Sequence, residues 1–154
     1  MEENFFVYQR RALRPLLVWG IGSSVIGALL APFAGFWRHF GLQAIAWGVI
    51  DVLLAIVGRR RALLQAEALA SHAIDEAVAA REAEQLRTVL RVNAGLDVLY
   101  IASGLFVARR FAQRPDRRGL GIGIAVQGLF LLIYDVLFAW DVGRRFVAND
   151  DSLR

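Results

Sequence analysis

Apolar residues along this chain come in long unbroken runs, and the charged residues stand almost entirely between them. Four runs are flanked by arginine: Leu16–Phe36, Phe40–Gly58, Val92–Ala108 and Gly119–Trp140. Each is close to the ~20 residues that a helix, rising 1.5 Å per residue, needs to cross a ~30 Å hydrocarbon core. The first follows Arg10, Arg11 and Arg14 and closes in Ala31, Pro32, Phe33, Ala34 and Gly35, and the second stops at Arg59, Arg60 and Arg61. The third lies between Arg91 and Arg109, and the fourth runs out through Asp141 to Arg144 and Arg145. A membrane β-barrel would alternate apolar and polar residues along each strand, whereas these runs are apolar on every face. A cleaved leader needs small residues one and three places before its cut. The first run offers Pro32 or Leu29 where one is wanted, so the pattern predicts a retained anchor.

Residues 59–91 break this pattern. They hold no Gly or Pro and are rich in Ala, Leu, Glu, Gln and Arg, a composition that favours helix. Spans two and three are therefore expected to continue past the membrane as a helical hairpin. Its inner stripe would be Leu63, Leu64, Leu69, Ile74, Val78, Leu86 and Leu90, and its bend would lie near Ser71–Asp75, where Ser and Asp can cap a new helix. A basic amphipathic stretch lying on anionic lipid is the rival arrangement.

Composition strengthens the membrane reading. Of 154 residues, 57% are hydrophobic and 21% charged, with a mean hydropathy of +0.47. That is more apolar surface than one small soluble core can hide. No cysteine is present, which removes disulfides, thiolate metal sites and cysteine nucleophiles together. All 18 basic residues are arginine. Four spans put both termini on one side; the termini and the middle segment hold twelve arginines, Arg154 included, against six on the other side. The excess of positive charge on cytoplasmic segments then predicts cytoplasmic termini.

Candidate chemistry lies inside the spans. Asp51-Val52-Leu53, Asp97-Val98-Leu99 and Asp135-Val136-Leu137 repeat one tripeptide in spans two, three and four, with Ser23 in the comparable place in span one. Measured from the flanking arginines, these groups lie six to nine residues in, about 9–14 Å, which predicts one polar layer in the cytoplasmic half of the bundle. Asn93 stands one turn from Asp97 on the cytoplasmic side. Gln43 and Gln127 stand two turns from Asp51 and Asp135 on the far side. Tyr100 and Tyr134 could donate hydrogen bonds to the acids, although packing explains them as well. A carboxylate near the bilayer centre costs at least about 2.5–3.5 kcal/mol on insertion scales, and no span contains Lys, Arg or His to offset it. The acids then carry protons, are balanced by a bound cation or cationic ligand, or reach water in a cytoplasm-open cavity.

Each feature has a plainer explanation. Intramembrane Asp, Asn and Gln often serve as hydrogen-bonding glue, although glue is usually built from residues that cost less to bury. A hard-cation site wants more oxygen ligands and a defined loop, so no metal is expected. His39 and His72 stand too far apart to ligate a haem together, and no other cofactor is expected. Gly119, Gly121, Gly123 and Gly128 read as helix-packing positions, because a phosphate loop needs a preceding strand. No nucleophile–base order is visible and the arginines do not cluster with exposed aromatics, so neither an enzyme nor nucleic-acid binding is expected.

The segment Asn93-Ala94-Gly95-Leu96-Asp97-Val98-Leu99-Tyr100 with Gly104, and Gly121 through Gln127-Gly128-Leu129-Phe130-Leu131-Leu132 to Asp135, carry a likeness that Trp19 and Trp47-Gly48 extend over most of the chain. In these residues the chain resembles a bacterial family of small four-helix membrane proteins classed as a domain of unknown function. That family's pattern favours Asn where this chain has Asp51. The resemblance implies an integral membrane bundle in the bacterial inner membrane and carries no activity.

The expectation is a single all-α membrane domain over residues 1–154, an antiparallel four-transmembrane-helix bundle with a cytoplasmic helical extension between spans two and three. Its functional residues would be Asp51, Asp97 and Asp135 with Asn93, holding a proton, cation or small cationic ligand. So small a unit is expected to dimerise for transport. The alternative is an accessory subunit of a larger membrane complex, docking through the hairpin.

Overall fold

A computed structural model describes residues 4–147, and Arg154, counted above with the termini, lies outside them. Every regular element among the described residues is helical. In chain order these are α1 (Phe5–Ala12), α2 (Arg14–Leu30), α3 (Phe36–Ala70), α4 (Glu76–Arg110) and α5 (Pro115–Val142), closed by a π-helical turn at Gly143–Val147. Four helical stretches are long and apolar enough to cross a membrane: 5–30, with a one-residue break between α1 and α2, then α3, α4, and α5 with its π turn.

The boundaries follow local chemistry. Asn4 caps α1 by accepting the Phe6 N–H at 2.8 Å, and Pro15 sits in the first turn of α2, where its missing N–H costs nothing. The first apolar run stops at Leu30 as helix. Pro32 follows at once, and Gly35, at φ 67°, supplies the left-handed residue that reverses the chain, so Phe36 opens α3 instead of closing α2. Residues 71–75 form the second bend, where the Asp75 carboxylate accepts the Val78 N–H at 2.9 Å and starts α4. At 35 residues each, α3 and α4 are about 52 Å long, about 15 residues more than a ~30 Å hydrocarbon core requires.

Successive helices pack through their backbones. A Cβ on Gly27 would lie 2.5 Å from the Gly41 carbonyl oxygen, and one on Gly20 would lie 2.7 Å from that of Gly48, so α3 runs back along α2 with almost nothing between them. The same holds for α4 and α5, where Cβ atoms on Gly104 and Gly121 would each lie 2.5 Å from the other residue's carbonyl oxygen. Small residues at such contacts let helices approach closely enough for dispersion to hold them in lipid. Contacts of α3 with α5 join the two hairpins.

This packing sets a seven-residue rhythm. Gly41, Gly48, Ala55, Ala62 and Leu69 are buried along α3; Ala83, Leu90, Asp97 and Gly104 along α4; Gly121, Gly128, Asp135 and Val142 along α5. The spacing is that of helices meeting along a seam. Large apolar side chains point the other way, with Val18, Leu29, Leu54, Val57 and Phe106 all exposed. A small-residue interior with a large apolar exterior is the arrangement expected where lipid is the surrounding medium.

The Arg59–Arg91 end is built differently. Phe5, Phe6 and Tyr8 of α1 pack with Leu69, Ala79, Ala83, Leu90, Phe138 and Val142 into a core of large side chains. Tyr8 Oη donates to Asp141 Oδ2 at 2.6 Å, and Arg145 Nε donates to Asp141 Oδ1 at 2.8 Å, tying α1 to the far end of the chain. In the inner stripe of the hairpin, Leu69 and Leu90 are buried and Ile74, Val78 and Leu86 are half-buried, but Leu63 and Leu64 face outward. The seven-residue phase set by Ala55 puts Ala62 inside and turns its two leucine neighbours away.

Gly27→Ala should lower the thermal stability of the detergent-solubilised protein by the equivalent of about 1–3 kcal/mol, because a rigid carbonyl blocks the new methyl. Gly22→Ala, which meets nothing within 4 Å, should be neutral or slightly stabilising. Equal melting shifts for the two would show that the backbone contact does not hold α2 on α3.

Candidate functional site

The three aspartates lie where helical phase puts them. Asp97 and Asp135 fall on the seven-residue series of α4 and α5, and Asp51 follows Gly48 by three residues and precedes Ala55 by four on the buried seam of α3. All three are buried, Asp51 to 1% exposure. They share one region: Asp51 lies in the field of Asp97, and Asp135 in the fields of both. Packing of α5 against both α3 and α4 brings them together, a convergence that equal depth requires but does not by itself produce.

Their hydrogen bonding is incomplete. Asn93, exposed on α4, lies beside the Asp135 carboxyl. Asp51 Oδ2 and Asp97 Oδ2 are buried and have no hydrogen-bond partner among the described residues. Buried polar atoms are nearly always paired, so two orphaned carboxylate oxygens in one cluster call for a proton, a cation or a donor from a ligand. No group of three or more acidic, His or Cys residues among the described residues has the geometry to enclose a metal ion.

The remaining candidates fall elsewhere. Ser23 does not join the aspartates. Gly20 lies against Gly48 and Val52, so the part of α2 level with Asp51 is Leu17–Gly20, and Ser23 stands about one turn higher. There Gln127 Nε2 donates to Ser23 Oγ at 3.3 Å, and Trp19 Nε1 donates to Gln127 Oε1 at 2.7 Å. The Trp19 ring stacks on Phe130 at 4.1 Å and an interplanar angle of 4°. This second polar knot, between α2 and α5, floors an apolar cavity of about 630 Å³. Gln43 packs its methylenes against Gly123 and belongs with neither group of side chains. Tyr100 meets Trp47 edge to face at 5.5 Å, and Tyr134 Oη donates to the Ala12 carbonyl at 3.2 Å, so both serve packing, with Tyr134 still in the field of Asp51 and Asp135.

Trp19 is the site residue the sequence argument passed over. Its signal was available, since Trp19 lies one turn before Ser23 and so on the same face. The glycines Gly119, Gly121, Gly123 and Gly128 each abut a neighbouring helix: Phe36, Gly104, Gln43 and Ile101 respectively.

Residues 15–136 match a family of unknown function, DUF6992, and the chain belongs to it. No curated protein and no solved structure matches the chain.

Trp19→Phe keeps the stack on Phe130 but leaves Gln127 Oε1 without its donor, and should cost about 0.5–2 kcal/mol. Combined with Gln127→Leu, the loss should be smaller than the sum of the two single changes by about 0.5 kcal/mol or more. Strict additivity in thermal melts of the four proteins would show that the knot carries no coupling.

Proposed function

We propose that this DUF6992 protein is an integral protein of the bacterial inner membrane, an antiparallel four-helix bundle whose Asp51, Asp97 and Asp135 bind a proton, a cation or a small cationic ligand. The orphaned oxygens of Asp51 and Asp97 carry this reading. Polar groups kept only as glue would be paired with their neighbours, as Gln127 is with Trp19 and Ser23. Two unpaired carboxylate oxygens in a region without a basic side chain leave room for one positive charge or for shared protons.

The arginine asymmetry supports cytoplasmic termini and a cytoplasmic hairpin, with the Asp layer opening toward that side. Transport would call for a dimer, since one four-helix unit offers little space for a complete pathway. An accessory role in a larger membrane complex is the second reading. Leu64 favours it: the side chain is 66% exposed and lies beyond Arg59–Arg61, where a docked partner could cover it.

Asp97→Asn should preserve the thermal melt while reducing proton- or cation-dependent flux in proteoliposomes by at least about tenfold, the ratio for ~1.4 kcal/mol of lost interaction. A variant with unchanged flux, or a wild-type protein with none, sinks the binding reading. The orientation has its own test, because the chain lacks cysteine. In intact cells a membrane-impermeant thiol reagent should label an Ala112→Cys variant and leave an Ala73→Cys variant unlabelled; the opposite pattern inverts the topology.

A further inference from the structure

A groove opens between α4 and α5 at their Arg-rich end, with a volume of about 440 Å³. Arg87 and Arg91 line it from α4, Trp140 from α5 and Arg144 from the π turn, above a wall formed by Ala94 and Val136. The Arg144 guanidinium lies over the Trp140 ring at 4.7 Å. None of the three arginines makes an ion pair among the described residues. Arg144 feels the charge of Asp141, but that carboxylate is already held by Tyr8 and Arg145.

The Arg87 guanidinium is the most constrained of the three. Its Nε is buried and has no hydrogen-bond partner among the described residues. It rests on Gly143, where a Cβ would lie 2.6 Å from Nε and 2.8 Å from Cζ, so the turn admits the guanidinium only because residue 143 lacks a side chain. The wide π turn is itself uncommon and recurs at functional sites. A fixed guanidinium, two further arginines and an interfacial tryptophan above an apolar wall recognise an anion with several oxygens joined to a hydrocarbon chain.

We infer that this groove binds the phosphate headgroup of an anionic phospholipid, with an acyl chain lying along Ala94 and Val136. A free phosphate ester would satisfy the arginines but leave the apolar wall uncovered. The inference rests on the membrane reading above but not on what the Asp layer binds. The Asp layer is acidic and offers no positive group to an anion.

The test is native mass spectrometry of the full chain in detergent with phosphatidylglycerol, phosphatidylcholine of the same chains, or glycerol phosphate. Phosphatidylglycerol should bind at least about fivefold more tightly than phosphatidylcholine, and Arg87→Gln should remove about fivefold of its affinity while leaving phosphatidylcholine unchanged. Arg91→Gln, at an exposed position that should not disturb folding, should have the same effect and keeps the test decisive if the Arg87 variant misfolds. Gly143→Ala should weaken binding by pushing Arg87 aside, and Arg60→Gln, exposed and outside the groove, should change nothing. Equal binding of the two lipids, or equal losses from Arg60→Gln and Arg91→Gln, overturns the site in favour of a diffuse surface field. Retention of glycerol phosphate as strongly as the lipid assigns the groove to a soluble phosphate ester and also overturns the proposal. Alkaline carbonate extraction separates this failure from that of the membrane reading: a released chain sinks both, whereas a retained chain without lipid preference sinks this inference alone.

Discussion

Contact of backbone on backbone at glycine is the constraint on which the rest of this molecule depends. In lipid, burial of apolar side chains gives no net drive for helices to associate, since the acyl chains are as apolar as the helix surfaces. Beside a few interhelical hydrogen bonds such as Gln127 to Ser23, what remains is dispersion, which falls steeply with distance and is useful only where helices nearly touch. Gly20, Gly27, Gly41 and Gly48 provide that contact for α2 and α3, and Gly104 with Gly121 provides it for α4 and α5. Once those contacts are fixed, the rotation of each helix is fixed too. Asp51, Asp97 and Asp135 are therefore held inside by the phase of their helices and not by their own preference, which would favour water.

The base of the molecule solves a different problem. Where helices stand in water, large side chains regain their ordinary value, at about 25 cal/mol for each Å² of apolar surface removed from water. Phe5, Phe6, Phe138 and Leu69 pack there accordingly. Tyr8, Asp141 and Arg145 lock α1 to the end of α5 across most of the chain length. The base sets the heights of the helices relative to one another, and the glycine contacts set their rotation. Both are needed for aspartates on three helices to share one region.

Some of this was legible in the sequence and some was not. The four long apolar helices, the bend at 71–75 and the burial of three Asp residues could be read because each depends on local composition or on counting along one helix. Height matching between helices could not, because it depends on which residues touch. Ser23 shows the difference: nine residues from Arg14 placed it with the aspartates, but the contact of Gly20 with Gly48 and Val52 moves it to the level of Gln127. Leu63 and Leu64 misled for a related reason. Hydrophobicity marked them as interior, whereas the seven-residue seam through Ala55 and Ala62 runs past them. The small residues that carry that seam have little hydropathy signal, and α1, at eight residues, is shorter than any span the apolar pattern can mark.

An acidic and a basic region then stand at two levels of the α4–α5 hairpin, Asp97 and Asp135 in one and Arg87, Arg91 and Arg144 in the other. Asp135 and Gly143 are eight residues apart, about 12 Å along α5, with the arginine groove at one end and the Asp layer at the other. At an effective dielectric constant of about 20, two unit charges 12 Å apart interact by about 1.4 kcal/mol, a factor of ten in an equilibrium constant. A cation approaching the Asp layer from the Arg-rich end would therefore meet repulsion from the bare groove, and an anion lying over Arg87 and Arg91 would offset it. Gly143, by letting the Arg87 guanidinium lie against the turn, fixes where one of those positive charges stands.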